Sequence, residues 1–402
     1  FVQEGNAQRA SKGGDDDLRT NLNASLLINA AKPNYSVAAT YSVQKSQYKD
    51  GSQEDRTSIN GSSTILFHNA SKTLVWTFED KESDTLGNTL EDDTPSNRQR
   101  RSIFSYGPSY NKKISARDDI SLSVKASSVR QQGQGADSER VVYSTSWTRQ
   151  WSKKTTIGLS ATQSEMDAED LVGFDYTQRG AKLNYSRALN QGKITLHAGY
   201  SEIEKDVSKK KTDSPEYGVT FNTARLGGNT ALTYDSRLID RSIGDLGTID
   251  NTYNNDAPLD FEGPLENFNT NSFDIVTEDK IALHHSRKLS KQTSINLSLN
   301  HGEYSYEDLD QSEARTGATL GLSRSLRGGY SLGFGLTFSS FEEDSVGIKR
   351  EQETRKAYLT LNKTFGKNLR ASCGLAYTER DADLGESYDS TDVRCNISAQ
   401  VF

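Results

Sequence analysis

The chain has 402 residues, a formal net charge of -7, 33 % hydrophobic residues, 26 % charged residues and a mean hydropathy of -0.75. A soluble domain of this length normally has ~45–50 % apolar residues, so a large apolar core is excluded. The 18 Tyr, 14 Phe and 3 Trp, with only 6 Pro, argue against disorder. A β-barrel with a polar lumen needs apolar residues only on its outer face, which satisfies all of these observations.

Strands with one apolar and one polar face recur along the whole chain. Apolar residues occupy every second position, which is the period of a β-strand, and small polar residues and Gly mostly lie between them. In chain order the apolar faces are Tyr35, Val37, Ala39, Tyr41, Val43; Ile120, Leu122, Val124, Ala126; Ile194, Leu196, Ala198, Tyr200; Ile295, Leu297, Leu299; and Tyr330, Leu332, Phe334, Leu336, Phe338. This pattern predicts a sheet with one face toward lipid and one toward a wet lumen.

The connections alternate between short turns and longer charged segments. Short turns are predicted at 31–34, 69–72, 152–154, 190–192, 227–229, 327–329 and 366–368. Longer segments are predicted around 46–57, 80–98, 130–138, 164–172, 204–214, 243–270, 303–313, 342–352 and 380–390. Short periplasmic turns and long extracellular loops are the arrangement of outer-membrane barrels.

The strand count predicts an all-β fold, namely a single closed antiparallel transmembrane β-barrel of about 20 strands, with 18 as the alternative. Strands are expected at 1–9, 18–30 and 391–402, and residues 1–402 form one domain. The sequence contains no run of ~18 apolar residues, so no membrane-spanning helix is predicted. The chain begins at Phe1 without a signal sequence, so we expect a mature or trimmed chain whose first strand can lack its start. It ends in Phe402, as many outer-membrane barrels do, although its apolar neighbours lie on the opposite face.

No catalytic or metal-binding pattern is present in the sequence. The five histidines lack HExxH or HxH spacing, and acidic runs such as Asp15–Asp17 and Glu91–Asp93 fit solvated charge better than the paired carboxylates of a glycosidase. The acidic balance argues against nucleic acid. We therefore expect a protein that is not an enzyme and has no cofactor or metal.

Charged and polar residues on the polar face are the candidates for lining a pore. They are expected to tune which solutes pass, as charged rings do in other channels. The candidates are Lys125, Lys182, His197, Asp235, Arg237, Lys280, His284, Arg370 and Arg394. The long loop 243–270 has two interpretations: it folds inward as a constriction whose removal raises conductance, or it is an exposed loop.

The two cysteines, Cys373 and Cys395, lie on the two strands of the predicted last hairpin. Their positions are nearly opposite each other across the hairpin, and both lie on the apolar face. A barrel that folds from the oxidising periplasm can form a cross-strand disulfide there. Two reduced thiols facing lipid are the alternative, because disulfide geometry is demanding.

The first third of the chain resembles the outer-membrane barrels associated with exopolysaccharide secretion and PEP-CTERM (exosortase) loci. The resemblance lies in DDDLRTNLNASLLINAAK, NYSVAATYSVQKSQYKDGSQEDRTSINGSSTILF and SNRQRRSIFSYGPSYNKKISARDDISLSVKASS, which follow the family's order. Two segments depart from it: Glu4-Gly5-Asn6, where the family often has Asp-Asn, and Asn29-Ala30-Ala31, where it often has Pro. The resemblance implies passage of a polysaccharide and no catalytic residues.

Together these observations predict a porin-like conduit of the Gram-negative outer membrane that exports an exopolysaccharide or similar polymer. The expected partners are outer-membrane lipid and lipopolysaccharide, and also periplasmic secretion components or a protein threaded through the barrel. An alternative is a barrel that sheathes a multihaem cytochrome, although the N-terminal CxxC frequent in that class is absent. A second alternative is an anchor for a surface filament.

Overall fold

The computed structural model describes residues 2–4, 17–51, 53–86, 98–132, 137–169, 175–224, 227–240, 275–306, 311–345, 348–366, 369–383 and 387–399. The predicted loop 243–270 and the terminal Phe402 lie outside them. In the described part of the chain, the only helical segment is one 3₁₀ turn, Arg327–Gly329. Within the same residues, no helix is long and apolar enough to span a membrane.

The described residues form twenty strands, which agrees with the predicted count. They are β1 (Val2–Glu4), β2 (Asp17–Ala31), β3 (Tyr35–Tyr48), β4 (Arg56–His68), β5 (Leu74–Leu86), β6 (Arg98–Lys113), β7 (Asp118–Gln131), β8 (Ser138–Ser152), β9 (Thr155–Ala168), β10 (Tyr176–Leu189), β11 (Gly192–Lys205), β12 (Lys211–Thr223), β13 (Gly228–Asp240), β14 (Ile275–Lys288), β15 (Thr293–Tyr306), β16 (Gln311–Ser325), β17 (Tyr330–Ser345), β18 (Ile348–Phe365), β19 (Leu369–Ala382) and β20 (Tyr388–Ala399).

Each strand pairs antiparallel with the next one along the chain, so a single sheet contains all twenty. The three-residue strand β1 pairs with β2 on one side, where Val2 lies opposite Arg19. On its other side it pairs with β20, where Val2 lies opposite Arg394. The first and last long strands are therefore joined through β1 over three residues each.

The two faces of the sheet have opposite burial from those of a soluble protein. On β17 the side chains of Leu332, Phe334 and Leu336 are 38–42 % exposed, whereas Thr337 on the other face is 8 % exposed. On this strand the predicted apolar positions are thus more exposed than the polar ones. An apolar surface of this extent on every long strand requires an apolar solvent, because soluble monomers rarely expose such a continuous area.

Several segments predicted as long loops are strand. The predicted loop 303–313 narrows to the gap between β15 and β16, and 342–352 is almost wholly the paired ends of β17 and β18. Their charged residues were misleading, because charge is excluded from the lipid-covered part of a strand but not from a strand end in water. There the register sets opposite charges against each other, as in Glu343 opposite Arg350. The predicted first strand, 1–9, is described only as β1.

The polar face is more crowded than a wide, water-filled lumen would be. Thr360, Asn362 and Arg380 are between 0 and 4 % exposed, although all three lie on this face. Buried apolar clusters are also found at the ends of the strands farthest from the short turns. The largest contains Met166, Ala168, Tyr176, Ile203, Leu238 and Ile275.

Candidate functional site

Five of the predicted pore-lining residues lie close together on the polar face of β10–β14. Lys182 is on β10, His197 on β11, Asp235 and Arg237 on β13, and Lys280 on β14. The register places Lys182 opposite Gly199, His197 opposite Gly218, Gly218 opposite Asp235, and Asp235 opposite Lys280. Residues from four hairpins are thereby aligned in one band across the sheet.

Lys182 reaches across a neighbouring strand to a buried carboxylate. Its Nζ is 2.7 Å from Oε2 of Glu216 on β12, whose side chain is 4 % exposed. The strand between them contributes Gly199, which lies opposite both residues. A side chain at Gly199 would collide with the β10 backbone and Lys182. The glycine therefore leaves space for an ion pair that skips one strand.

His197 and Asp235 pair in the same way. His197 Nε2 lies 3.0 Å from Asp235 Oδ1, across Gly218 of β12. A Cβ atom at Gly218 would collide with the imidazole ring and the carboxylate. Gly199 and Gly218, on neighbouring strands, thus each leave space for a pair of side chains that reach across one strand.

Arg237 extends this pair into a network. Its Nε is 3.4 Å from Asp235 Oδ2 and 2.7 Å from Oε2 of Glu278 on β14. The Glu278 side chain is 5 % exposed, so its charge depends on this contact for compensation. We call the group formed by Lys182, His197, Glu216, Asp235, Arg237 and Glu278 the charged band.

Sequence reasoning missed Glu216 and Glu278, although both lie at polar positions of alternating strands. An acidic residue at such a position was the signal that could have identified them. The cations of the charged band were predicted, but Lys182 and His197 meet partners two strands away, whereas Arg237 meets Glu278 directly across one hairpin.

The remaining predicted pore-lining residues lie elsewhere on the polar face. Lys125 on β7 forms an ion pair with Glu79 on β5. Arg394 on β20 lies 3.7 Å from Asp392. His284 on β14 is exposed, and Arg370 lies at the start of β19. No group of three His, Cys, Asp or Glu with metal-binding geometry occurs among the described residues.

Cys373 and Cys395 lie directly opposite each other on β19 and β20. Their sulfur atoms are bonded at 2.08 Å, and both residues are exposed on the apolar face. The bond joins the last hairpin next to its contact with β1. Alkylation of both thiols in folded, unreduced protein would contradict it.

Comparison with known proteins gives a fold but no family. No family model matches the sequence, and no curated protein does. The structure is similar to that of the FrpB iron transporter of Neisseria meningitidis, variant F5-1, with TM-score 0.53 and 8 % identity over 99 % of this chain and 81 % of that chain. For variant F3-3 the TM-score is 0.50, with 9 % identity over 99 % of this chain and 80 % of that chain. For the siderophore receptor PirA of Pseudomonas aeruginosa the TM-score is 0.46, with 11 % identity over 100 % of this chain and 79 % of that chain.

The chain thus has the all-β fold of an outer-membrane barrel protein, and its location is the bacterial outer membrane. The two FrpB structures with this fold are of an iron transporter rather than an enzyme. The resemblance to exopolysaccharide-secretion and PEP-CTERM barrels is wrong, because the structural neighbours with a TM-score of 0.50 or more that are named above are iron transporters. The segments that suggested it, such as the acidic start of β2, follow the general rhythm of barrel strands and turns.

Proposed function

We propose that this protein is a closed twenty-stranded transmembrane barrel that lets small polar and ionic solutes cross the outer membrane. The double pairing of β1 supports closure. Strands of 12 to 18 residues, apart from β1, exceed the ~9–11 residues needed to cross the bilayer. The apolar face then contacts outer-membrane lipid and lipopolysaccharide, and the polar face surrounds the passage.

The orientation follows from the positions of charge. Exposed Tyr330, Leu332 and Phe334 follow the short turn at Arg327–Gly329, whereas ion pairs such as Arg350–Glu343 lie at the opposite end of the strands. Charge at that end fits the aqueous side with the longer connections. The short turns are therefore assigned to the periplasm.

The charged band is the observation that supports a transport role most directly. Fixed charges inside a low-dielectric wall act on a passing ion more strongly than charges in bulk water. The charged band contains three carboxylates together with Lys182, Arg237 and His197, so its net charge depends on each of these pairs. Such a wall discriminates among small ions by charge and holds none of them tightly. The likeness to iron transporters is one of fold, so iron is not carried over to this chain.

Planar-bilayer recordings test this function. The reconstituted protein is expected to conduct, and its ratio of cation to anion permeability should fall for Asp235→Asn and rise for Arg237→Gln. Glu353→Gln, on the apolar face, is the matched control and should leave the ratio unchanged. Negligible conductance from folded protein, both intact and lacking residues 243–270, would contradict transport and favour an anchoring or sheathing role.

A further inference from the structure

The end of the β13–β14 hairpin separates from its neighbour β12 but not from β15. Pairing between β12 and β13 stops at Tyr217 opposite Ser236. Pairing between β13 and β14 continues to Asp240 opposite Ile275. The upper part of β12, residues 211–216, is therefore paired with β11 but not with β13. Beyond Ser236 the hairpin departs from β12, while β14 stays paired with β15 as far as Val276 opposite Tyr306.

One side of this hairpin end rests on the polar face of β9–β11. The side-chain amide of Gln178, on β10, donates a hydrogen bond of 3.2 Å to the carbonyl oxygen of Leu238. Neighbouring strands are ~4.8 Å apart, so a β13 residue still in the wall would be three spacings away from β10. Leu238 and Ile275 are 2 and 3 % exposed, and both belong to the apolar cluster that includes Met166, Tyr176 and Ile203.

The other side of the hairpin end packs beside β15, which is the hydrogen-bonded neighbour of β14. Ile239 and Val276 are opposite each other in the register and point away from Leu238 and Ile275. Val276 is 0 % exposed and packs with Tyr304 and Tyr306, and Ile239 packs against the same cluster. Only the side of Leu238 and Ile275 therefore packs on a part of the sheet that is not its direct neighbour.

The β15 strand, which pairs with β14 at Val276, is held in place by contacts with β16 and β17. The Arg315 guanidinium lies 5.3 Å from the Tyr304 ring centroid and 5.2 Å from that of Phe341. Arg315 also contacts Glu313 at 2.6 Å, and the Tyr306 hydroxyl donates to the same carboxylate. The two tyrosines therefore form a fixed surface rather than a yielding one.

A β13 end that stays joined to β15 through β14 and also covers the polar face of β9–β11 must lie within the passage that these strands surround. We propose that the hairpin end formed by Leu238–Asp240 and Ile275–Val276 is a gate that narrows the passage on the side of the longer connections, above the charged band. This inference rests on the proposed transport function. The contacts that hold the gate over β9–β11 are mainly apolar, so it opens when Leu238 and Ile275 leave their cluster.

The gate is tested by placing charge in one of its contacts. Leu238→Asp combined with Ile275→Asp is expected to raise mean conductance roughly tenfold, because an unpaired buried carboxylate shifts the docking equilibrium by at least that factor. Leu238→Ile combined with Ile275→Leu keeps the contact apolar and is the matched control. It should conduct like the unchanged protein.

A reversible tether provides the second measurement. Ile203→Cys and Leu238→Cys join the gate to β11 in a background with Cys373→Ser and Cys395→Ser. Oxidation should abolish spontaneous openings, and reductant should restore them. If the Asp variant and the tethered protein both conduct like the unchanged protein, the gate is wrong while transport stands. If no variant conducts, including the Asp variant, the transport function itself fails.

Discussion

The hairpins β13–β14 and β17–β18 have the same construction but end in opposite environments. β17 pairs with β18 as far as Ser345 opposite Ile348, and β16 accompanies it to the same residue. The β13–β14 hairpin loses its neighbour β12 after Ser236 and folds onto the polar face. The lengths of the strands do not explain this difference.

The side chains at the two ends do explain it. The end of β17–β18 carries opposed charges, with Arg350 3.4 Å from Glu343 and Lys349 3.9 Å from Asp344. The end of β13–β14 carries apolar side chains on both of its sides. The charged end keeps its pairing with the neighbouring strands, whereas the apolar end of β13–β14 gains protein contacts by covering the polar face of β9–β11.

The largest expected effect removes a buried ion pair on β16, which neighbours the strand paired with β14. Arg315→Leu should lower the free energy of unfolding by ~3–5 kcal/mol, since it leaves the buried Glu313 carboxylate without its ion-pair partner. Denaturant titration measures this. Arg355→Leu is the control, because its contact with Glu353 is equally short but its side chain is 55 % exposed. The control should cost at most ~1 kcal/mol. Equal losses would contradict the distinction between the two environments.

A smaller effect is expected from the gate itself. Leu238→Ala removes a side chain that is 2 % exposed, and the loss should be ~2–4 kcal/mol of docking free energy. Protease cleavage near residue 240 measures it, because undocking exposes the backbone there. Leu336→Ala, at a position 42 % exposed on the apolar face, should leave the cleavage rate unchanged. Unchanged cleavage in Leu238→Ala would show that the hairpin end is held by something else.

The lower part of β13, which stays in the wall, is tested at Gly218. Gly218→Ala places a methyl group between His197 and Asp235 and should cost ~1–3 kcal/mol by overpacking. Thermal unfolding measures the loss. Gly180→Ala on the same face is the control, since its new methyl group would meet its neighbours at an ordinary 3.5 Å. A tolerated Gly218→Ala would mean that the His197–Asp235 pair does not depend on the glycine.

The smallest effect concerns a third hairpin end, that of β7–β8, which is charged like β17–β18. Burial raises the pKa of the Asp137 carboxyl, but hydrogen bonds from Arg130 and the Gln131 backbone N–H outweigh it and leave the pKa below its usual value. A lowered pKa in the folded state stabilises it above the unfolded pKa, and this stabilisation is lost as pH falls through the folded pKa. Asp137→Asn should remove this part of the pH dependence, with a change in melting temperature of at most ~2 °C. A steeper pH dependence in the variant would contradict the assignment.

The sequence predicted the strands well because alternation is a local property. Whether Leu332 and Phe334 share a face depends on their spacing alone, and the structure confirms that the predicted apolar faces are exposed. The near-opposition of Cys373 and Cys395 followed from counting across a short connection. Predicted loops failed at 303–313 and 342–352, since charge was taken as a sign of irregular structure where opposed charges extend the strands.

The sequence by itself determined the all-β class, the two faces of the sheet, the strand count and the cations of the charged band. The tertiary structure decided which carboxylates those cations meet and where each hairpin end lies. Glu216 reaches Lys182 across Gly199, and Leu238 reaches β10 across two strands. Such contacts depend on how strands far apart in the sequence are aligned and how the sheet curves. Alternation along one strand contains no information about either.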